Sequence, residues 1–179
     1  MNSPMLHILL STYNGQTYLE ELLRSVLRQT YGAFQLHVRD DGSTDNTLNI
    51  LRKYQSQDER ILVESGPNIG VQGSFYNLLE GIEDAIGFYA FCDQDDIWGE
   101  QKLEAAVRAI QSSREPAASL YFSRLSCVDM ANQHLYDSQQ PIATGIYNAL
   151  VQNSAIGCTC VFGSRIRAEF LRADPADMI

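Results

Sequence analysis

Positive charge is scarce in this sequence. Lys and Arg total 13 against 22 Asp and Glu, a formal net charge of −9. A chain this acidic, with no basic run, is a poor partner for a phosphate backbone, so no nucleic-acid binding is expected. Histidine is rarer still: His7, His37 and His134 stand alone, without metal-ligand spacing. His7 and His37 fall in apparent strands, where structural roles are expected. Long apolar runs are missing too. Short pieces such as 87–92 fall well below the roughly 18 residues that a membrane span needs, so no transmembrane segment is expected. The stretch 1–10 has no basic flank and no small-residue cleavage site, so no signal peptide is expected. The four cysteines (Cys92, Cys127, Cys158, Cys160) are even in number, but the chain is too large and too well supplied with apolar residues to need disulfide staples, and Cys158-x-Cys160 lacks the spacing and partners of a zinc knuckle. They read as reduced, mostly buried thiols of a cytosolic protein. There is no Gly-x-Ser-x-Gly elbow, no phosphate-cradling Gly-rich Lys loop and no His-Glu-x-x-His.

What is present is an ordinary globular balance, 45% hydrophobic and 20% charged, over 179 residues. That length suits one domain, burying roughly 70% of its unfolded surface. Strand and helix patterns alternate. Apolar runs at 6–10, 34–38, 61–63 and 88–92 read as strands, with later ones at 120–125 and 158–162. Helical spacing joins Tyr18, Leu19, Leu22, Leu23, Val26 and Leu27 within 17–29. Further helices are expected over the segment capped by Asp45 (Leu48, Leu51, Tyr54), from about Ser74 to Ile82, over 99–113 and over 164–172. No repeat, linker or low-complexity tract is present. Alternation of this kind predicts an α/β fold, a mostly parallel sheet flanked by helices. Such sheets bind ligands at the carboxyl ends of their strands.

Three polar clusters share that phase. Asp93-Gln94-Asp95-Asp96 follows a wholly apolar strand. Three carboxylates in four residues repel unless solvent, hydrogen bonds or a hard divalent cation intervenes. In an extended segment Asp93 and Asp95 would point to one side. The plain alternative is a solvated acidic loop with Asp96 capping the next helix. Asp40-Asp41-Gly42-Ser43-Thr44-Asp45 ends the second strand. There Asp41 could accept a pyrimidine imide or a sugar hydroxyl, while Ser43 to Asp45 fit an Asx turn into a helix. Ser11-Thr12-Tyr13-Asn14 closes the first strand and could frame a flat base, or be a polar turn. Asn68-Ile69-Gly70 could aim backbone N–H groups at an anion, or be a plain turn. Trp98 reads as a packing anchor. Lys102 is expected to pair with Glu100 or Glu104 or to lie in solvent.

Taken together, these residues resemble glycosyltransferase family 2 and its GT-A (Rossmann-like) fold. The resemblance rests on Ser-Thr-Tyr-Asn-Gly at 11–15, Tyr18-Leu19-Glu20, Ser25-Val26-Leu27 and Gln29-Thr30-Tyr31. It continues through 40–45, Asn68-x-Gly70, Asp93-Gln94-Asp95-Asp96-Ile97-Trp98 and Gly157-Cys158-Thr159. The stretch 91–98 is most similar to the rhamnosyltransferase branch of bacterial surface-polysaccharide enzymes. The resemblance implies transfer of a sugar from a UDP- or dTDP-sugar to a glycan or lipid-linked glycan hydroxyl, metal-dependent and inverting. It assigns Ser11, Thr12, Tyr13, Asn14, Asp41, Gly70 and Asp93 to the nucleotide sugar. Asp95 and Asp93 would bind Mg2+ or Mn2+, with Asp96 the adjacent acid. A cytoplasmic location is implied, at the inner face of the membrane if the chain associates peripherally. One piece departs from the pattern. The His-Asp base motif expected after 170–172 is missing, and only Asp174 and Asp177 are near. No catalytic base is therefore assigned, and residues 1–179 read as the nucleotide-sugar-binding domain of a longer enzyme. Two alternatives stay open: a catalytically incomplete binding module, and a sugar-phosphate nucleotidyltransferase, although 11–15 lacks the basic loop of the latter. A signalling receiver is excluded by the order of its acids.

Overall fold

The computed structural model describes residues 3–83, 86–139 and 156–172. Four strands, β1 (Leu6–Thr12), β2 (Phe34–Asp40), β3 (Ile61–Ser65) and β4 (Phe88–Cys92), form the parallel part of a six-stranded sheet. Its order is β3-β2-β1-β4-β8-β5. The last two, β8 (Val161–Gly163) and β5 (Leu120–Tyr121), complete the sheet through antiparallel pairs. Between them in sequence lies a separate two-stranded hairpin, β6 (Ser126–Val128) and β7 (His134–Asp137).

Alternation along the strands decides which helices cover which face. Ile8, Leu10, Leu36, Phe88, Ala90 and Val161 share one cluster with α1 (Leu19–Leu27), α2 (Thr47–Gln55) and α4 (Lys102–Gln111). Leu9, Tyr89 and Phe162 point the other way, to Leu78 and Leu79 of α3 (Gly70–Gly81) and to Ile166 and Phe170 of α5 (Ser164–Phe170). That second face is aromatic: Phe91 lies 5.1 Å from both Phe75 and Phe162 between ring centroids. β4 is apolar on both faces, whereas β1 is apolar on one face and carries His7 and Ser11 beside Leu9 on the other.

The expected elements stand with shifted bounds (the helix expected over 99–113 is Lys102–Gln111, and the strand expected over 158–162 is Val161–Gly163) and with further differences. Helix α3 begins at Gly70 rather than Ser74, because Gly70 takes a left-handed φ of 79° that starts the helix directly after the loop. The strand expected over 120–125 is only Leu120–Tyr121, and 157–159 is a 3-10 turn preceding β8. The β6–β7 hairpin has no counterpart in the sequence reading. Its β7 residues are all exposed, so it lacks the one-sided apolar pattern that announces a strand.

Register sets the rim, with the ends of β2 and β4 two residues out of step along β1. Thr12 sits opposite Asp40, and Leu10 opposite Cys92. Asp41 and Asp93 are therefore the first residues past two strands that flank the end of β1 on either side.

Candidate active site

The three clusters do converge, and they are wired together. The amide of Tyr13 donates to Gln94 Oε1 at 2.9 Å, and Gln94 Nε2 donates back to the Tyr13 carbonyl at 3.3 Å. This clasp ties the end of β1 to the acidic turn. On the other side Asn14, at a left-handed φ of 50°, donates its amide to Ser43 Oγ and accepts the Thr44 amide, both at 2.9 Å. Gly15 N–H donates to Thr47 Oγ1 at 2.9 Å, and Gln16 N–H to Asp45 Oδ2 at 3.2 Å. Asp45 thus serves its Asx turn by accepting the Thr47 amide at 3.0 Å, one residue ahead of the helix N-cap, Asn46.

Among the expected donor residues, Tyr13 is 48% exposed. Thr12 is buried, with its hydroxyl 3.5 Å from Asp40 Oδ1. Ser11 Oγ donates to Ser74 Oγ at 2.7 Å. Asp41 is buried and heavily engaged. Its two oxygens accept the amides of Ile69 and Gly70, each at 2.9 Å, and Oδ1 also meets the Arg39 guanidinium. Burial alone would raise this carboxyl. Bonds from Ile69, Arg39 and Gly70 outweigh burial and hold it below the usual carboxylate value. The anion that the Gly70 amide meets is therefore the chain's own Asp41. Arg39, which also donates to the Pro67 carbonyl at 3.0 Å, is a partner that sequence reasoning missed. Its position, two before Asp41 on one strand face, was the available signal.

The acidic segment is a turn rather than an extended stretch, with the Asp96 amide 3.5 Å from the Asp93 carbonyl. A turn brings its first and fourth residues together, so Asp93 groups with Asp96 and not with Asp95. One carboxylate oxygen from each and Cys158 Sγ lie within 4.8 Å of one another. Burial raises both carboxyls, the Cys158 thiol counters by hydrogen bonding, and neighbouring acids raise them further. Burial and the same two acids raise the Cys158 thiol as well. A pair of repelling carboxylates is an oxygen donor set suited to a hard divalent cation, and these residues fit Mg2+ or Mn2+. Asp95 is exposed, and it adds to the charge felt by Asp93.

Lys102 overturns its expectation. It does not bond Glu100 or Glu104. Its Nζ donates to the Cys158 carbonyl at 2.7 Å and lies 4.4 Å above the Trp98 ring. Burial lowers its pKa, while nearby Cys92 and Asp96 pull it back up. Spacing alone could not show the Cys158 bond, because that partner lies 56 residues away. Trp98 is the expected packing anchor, 4% exposed, with its amide bonded to Ser25 Oγ at 2.9 Å. His7 and His37 pair across β1 and β2, with Nδ1 and Nε2 3.1 Å apart. The thiols are free, and Cys92, Cys158 and Cys160 are buried. Asp174 and Asp177 lie outside the described residues.

The family model for glycosyl transferase family 2 matches residues 7–172. The chain belongs to that family. Across 166 residues it is 29% identical to the dTDP-rhamnosyl transferase RfbG of Shigella flexneri, covering 90% of this chain and 56% of that protein. Across 163 residues it is 29% identical to the putative teichuronic acid biosynthesis glycosyltransferase TuaG of Bacillus subtilis, covering 90% and 63%. The chain thus spans little more than half the length of the curated relatives it matches. The fold is similar to that of S. aureus TarS 1-349 in complex with UDP-GlcNAc, with TM-score 0.74, 22% identity and coverage of 92% and 46%. It is also similar to the mannosyltransferase PcManGT of Pyrobaculum calidifontis in complex with GDP-Man and Mn2+. That match has TM-score 0.66, 20% identity and coverage of 99% and 49%. These likenesses establish the GT-A architecture. Among the described residues no helix is long and apolar enough to cross a membrane.

Proposed function

We propose that this family 2 domain binds a nucleotide-diphosphate sugar, UDP- or dTDP-linked, for transfer to a hydroxyl of a glycan or lipid-linked glycan. The observation that carries the reading is the rim register: Asp41 and Asp93 leave the strands on either side of β1, Asp41 level with Tyr13 and Asp93 two residues earlier, level with Ser11. A nucleoside laid over Tyr13 would have an acceptor, Asp41, on one side and the acidic turn on the other. Ser11, Thr12 and Asn14 shape the floor. Gly70 belongs to the loop that Asp41 holds in place. Pyrimidine bases suit this arrangement, since their imide N–H donates to a carboxylate, and a carboxylate has lone-pair capacity beyond the bonds it already accepts.

Asp93, Asp95 and Asp96 would hold Mg2+ or Mn2+, which supplies charge neutralisation for the departing diphosphate. The chain's own contribution is to keep these acids on a tight turn, clasped to β1 through Gln94 and backed by the Lys102 ammonium. Direct displacement at the anomeric carbon would invert its configuration. The likeness to RfbG supports a nucleotide-sugar donor, and the likeness to TuaG supports a setting in bacterial polysaccharide biosynthesis.

Calorimetric titration with UDP-, dTDP- and GDP-sugars, with and without Mn2+, tests the reading. Pyrimidine donors should bind with Mn2+ and lose most of that heat in Asp95→Ala, an exposed position whose truncation should leave the melting temperature unchanged. Absence of binding by every donor under saturating Mn2+ would refute it.

A further inference from the structure

Beside the acidic turn opens a second space, a cleft of about 1290 Å3 between residues 95–102 and the segment carrying β6. The hairpin leans across it and fastens to α1. Asn132 Nδ2 donates to Glu21 Oε1 at 2.9 Å, and the Tyr18 hydroxyl approaches Met130 Sδ at 3.6 Å. The donor residues Ser11 to Asn14 and Asp41 do not line this cleft, whereas Asp95 and Asp96 do. It is thus a separate space that meets the donor side at the acids.

Two chemistries cover its walls. Tyr18, 40% exposed, Tyr121 and the 84% exposed Met130 give apolar faces. Glu21, Glu100 and Asp129 give carboxylates outside the proposed metal ligands. Two cations are present among its described lining residues, Arg124 and Lys102. Arg124 Nε donates to the Ser138 carbonyl at 2.9 Å, and its Nη2 pairs with Asp137 at 3.5 Å. Lys102 is held by the Cys158 carbonyl. Sugar rings present C–H faces that pack on aromatics and hydroxyls that donate to carboxylates. A uronate or phosphate would instead face like charges with no uncommitted cation on these walls.

We infer that this cleft receives the acceptor, and that the stretch of acceptor it holds is an uncharged, hydroxyl-rich glycan; sugars that carry a uronate or a phosphate within that stretch are rejected. The inference rests on the donor assignment above, since Asp95 and Asp96 are what join the two spaces. It names a preference that neither the family nor the relatives decide.

The test is a glycan array probed with the full chain in UDP and Mn2+. Neutral oligosaccharides are printed beside counterparts in which one residue carries a uronate, a phosphate or an amine. Neutral glycans should be retained about tenfold or more over their uronate and phosphate counterparts, as expected for unfavourable like-charge contact. The charge reversal Glu100→Lys should shrink that ratio by raising uronate retention. Equal or stronger retention of anionic glycans overturns the inference, as does retention of amino sugars alone or of no glycan. Titration of the same preparation with UDP and Mn2+ separates the two claims. Intact nucleotide binding with the wrong glycan preference sinks only the acceptor claim, and lost nucleotide binding sinks the donor reading.

Discussion

At the scale of single residues, Asp41 carries the heaviest electrostatic load. It is buried against Arg39, also buried, and both of its oxygens hold the loop that starts α3. Asp41→Asn removes the charge, leaves Arg39 uncompensated and puts an amide group where two N–H donors converge. The expected loss is about 3–5 kcal/mol, the scale for breaking a buried pair from one side. Urea unfolding measures it. Arg39→Met in the same chain should return part of the loss, because the stranded cation is gone. Gly15 makes a smaller point. A Cβ there would stand 2.5 Å from Gln94 Oε1, so Gly15→Ala must push that side chain off the Tyr13 amide. About 1 kcal/mol is the expected cost of the lost hydrogen bond. Faster hydrogen exchange at the Tyr13 amide reports the opened clasp, and Gln94→Ala should make the alanine at position 15 harmless.

At the scale of elements, α5 stoppers α3. Arg167 Nε and Nη2 donate to the Leu79 carbonyl at 3.1 and 2.7 Å, and Nη2 also reaches the Ile82 carbonyl at 2.7 Å. These are among the carbonyls that a helix end leaves without partners. Arg167→Met keeps the length of the stem and removes the donors. A loss of about 1.5–3 kcal/mol is expected, the range for hydrogen bonds to a charged group, with faster exchange confined to the C-terminal turn of α3. The elements differ in how plainly the sequence announced them. β1 through β4 and their helices were legible, because apolar runs alternated with 3.6-residue spacing and every acidic cluster fell at a strand end. The hairpin was not, since its strands face water on both sides. Neither was the antiparallel placement of β8, because a three-residue apolar strand carries no sign of direction. Within the site, the clusters and their shared rim could be read. Their partners could not: Arg39 with Asp41, Gln94 with Tyr13 and Lys102 with Cys158 are tertiary pairings. Asp93 meets Asp96 because a turn at 93–96 stands where an extended stretch was assumed.

At the scale of the whole molecule, acid sensitivity has an identifiable origin. His37 is lowered from 6.5 to about 4, chiefly by burial and then by His7. The unfolded chain therefore takes up a proton that the folded chain refuses across that interval, and stability should fall as pH drops from about 6.5 to 4. Asp41 has a depressed carboxyl, so its contribution is present above the ordinary carboxylate value and is lost only as pH falls further. Asp93 and Asp96, raised by burial, act with the opposite sign, regaining stability as they protonate. Subtracting the pH–stability curve of His37→Gln from that of the unaltered chain isolates the imidazole. The difference should slope between pH 6.5 and 4 and be flat above it. One feature of the sheet bears on how the chain reaches this state. β8 lies between β4 and β5, yet it follows both in sequence. While the polypeptide emerges from the ribosome, β4 has its pairing groups open on one flank until α4, β5 and the hairpin have been synthesised. Until then the nascent half-sheet offers an unguarded edge, so a stalled or prematurely terminated product is the form of this protein most prone to stick to its own copies.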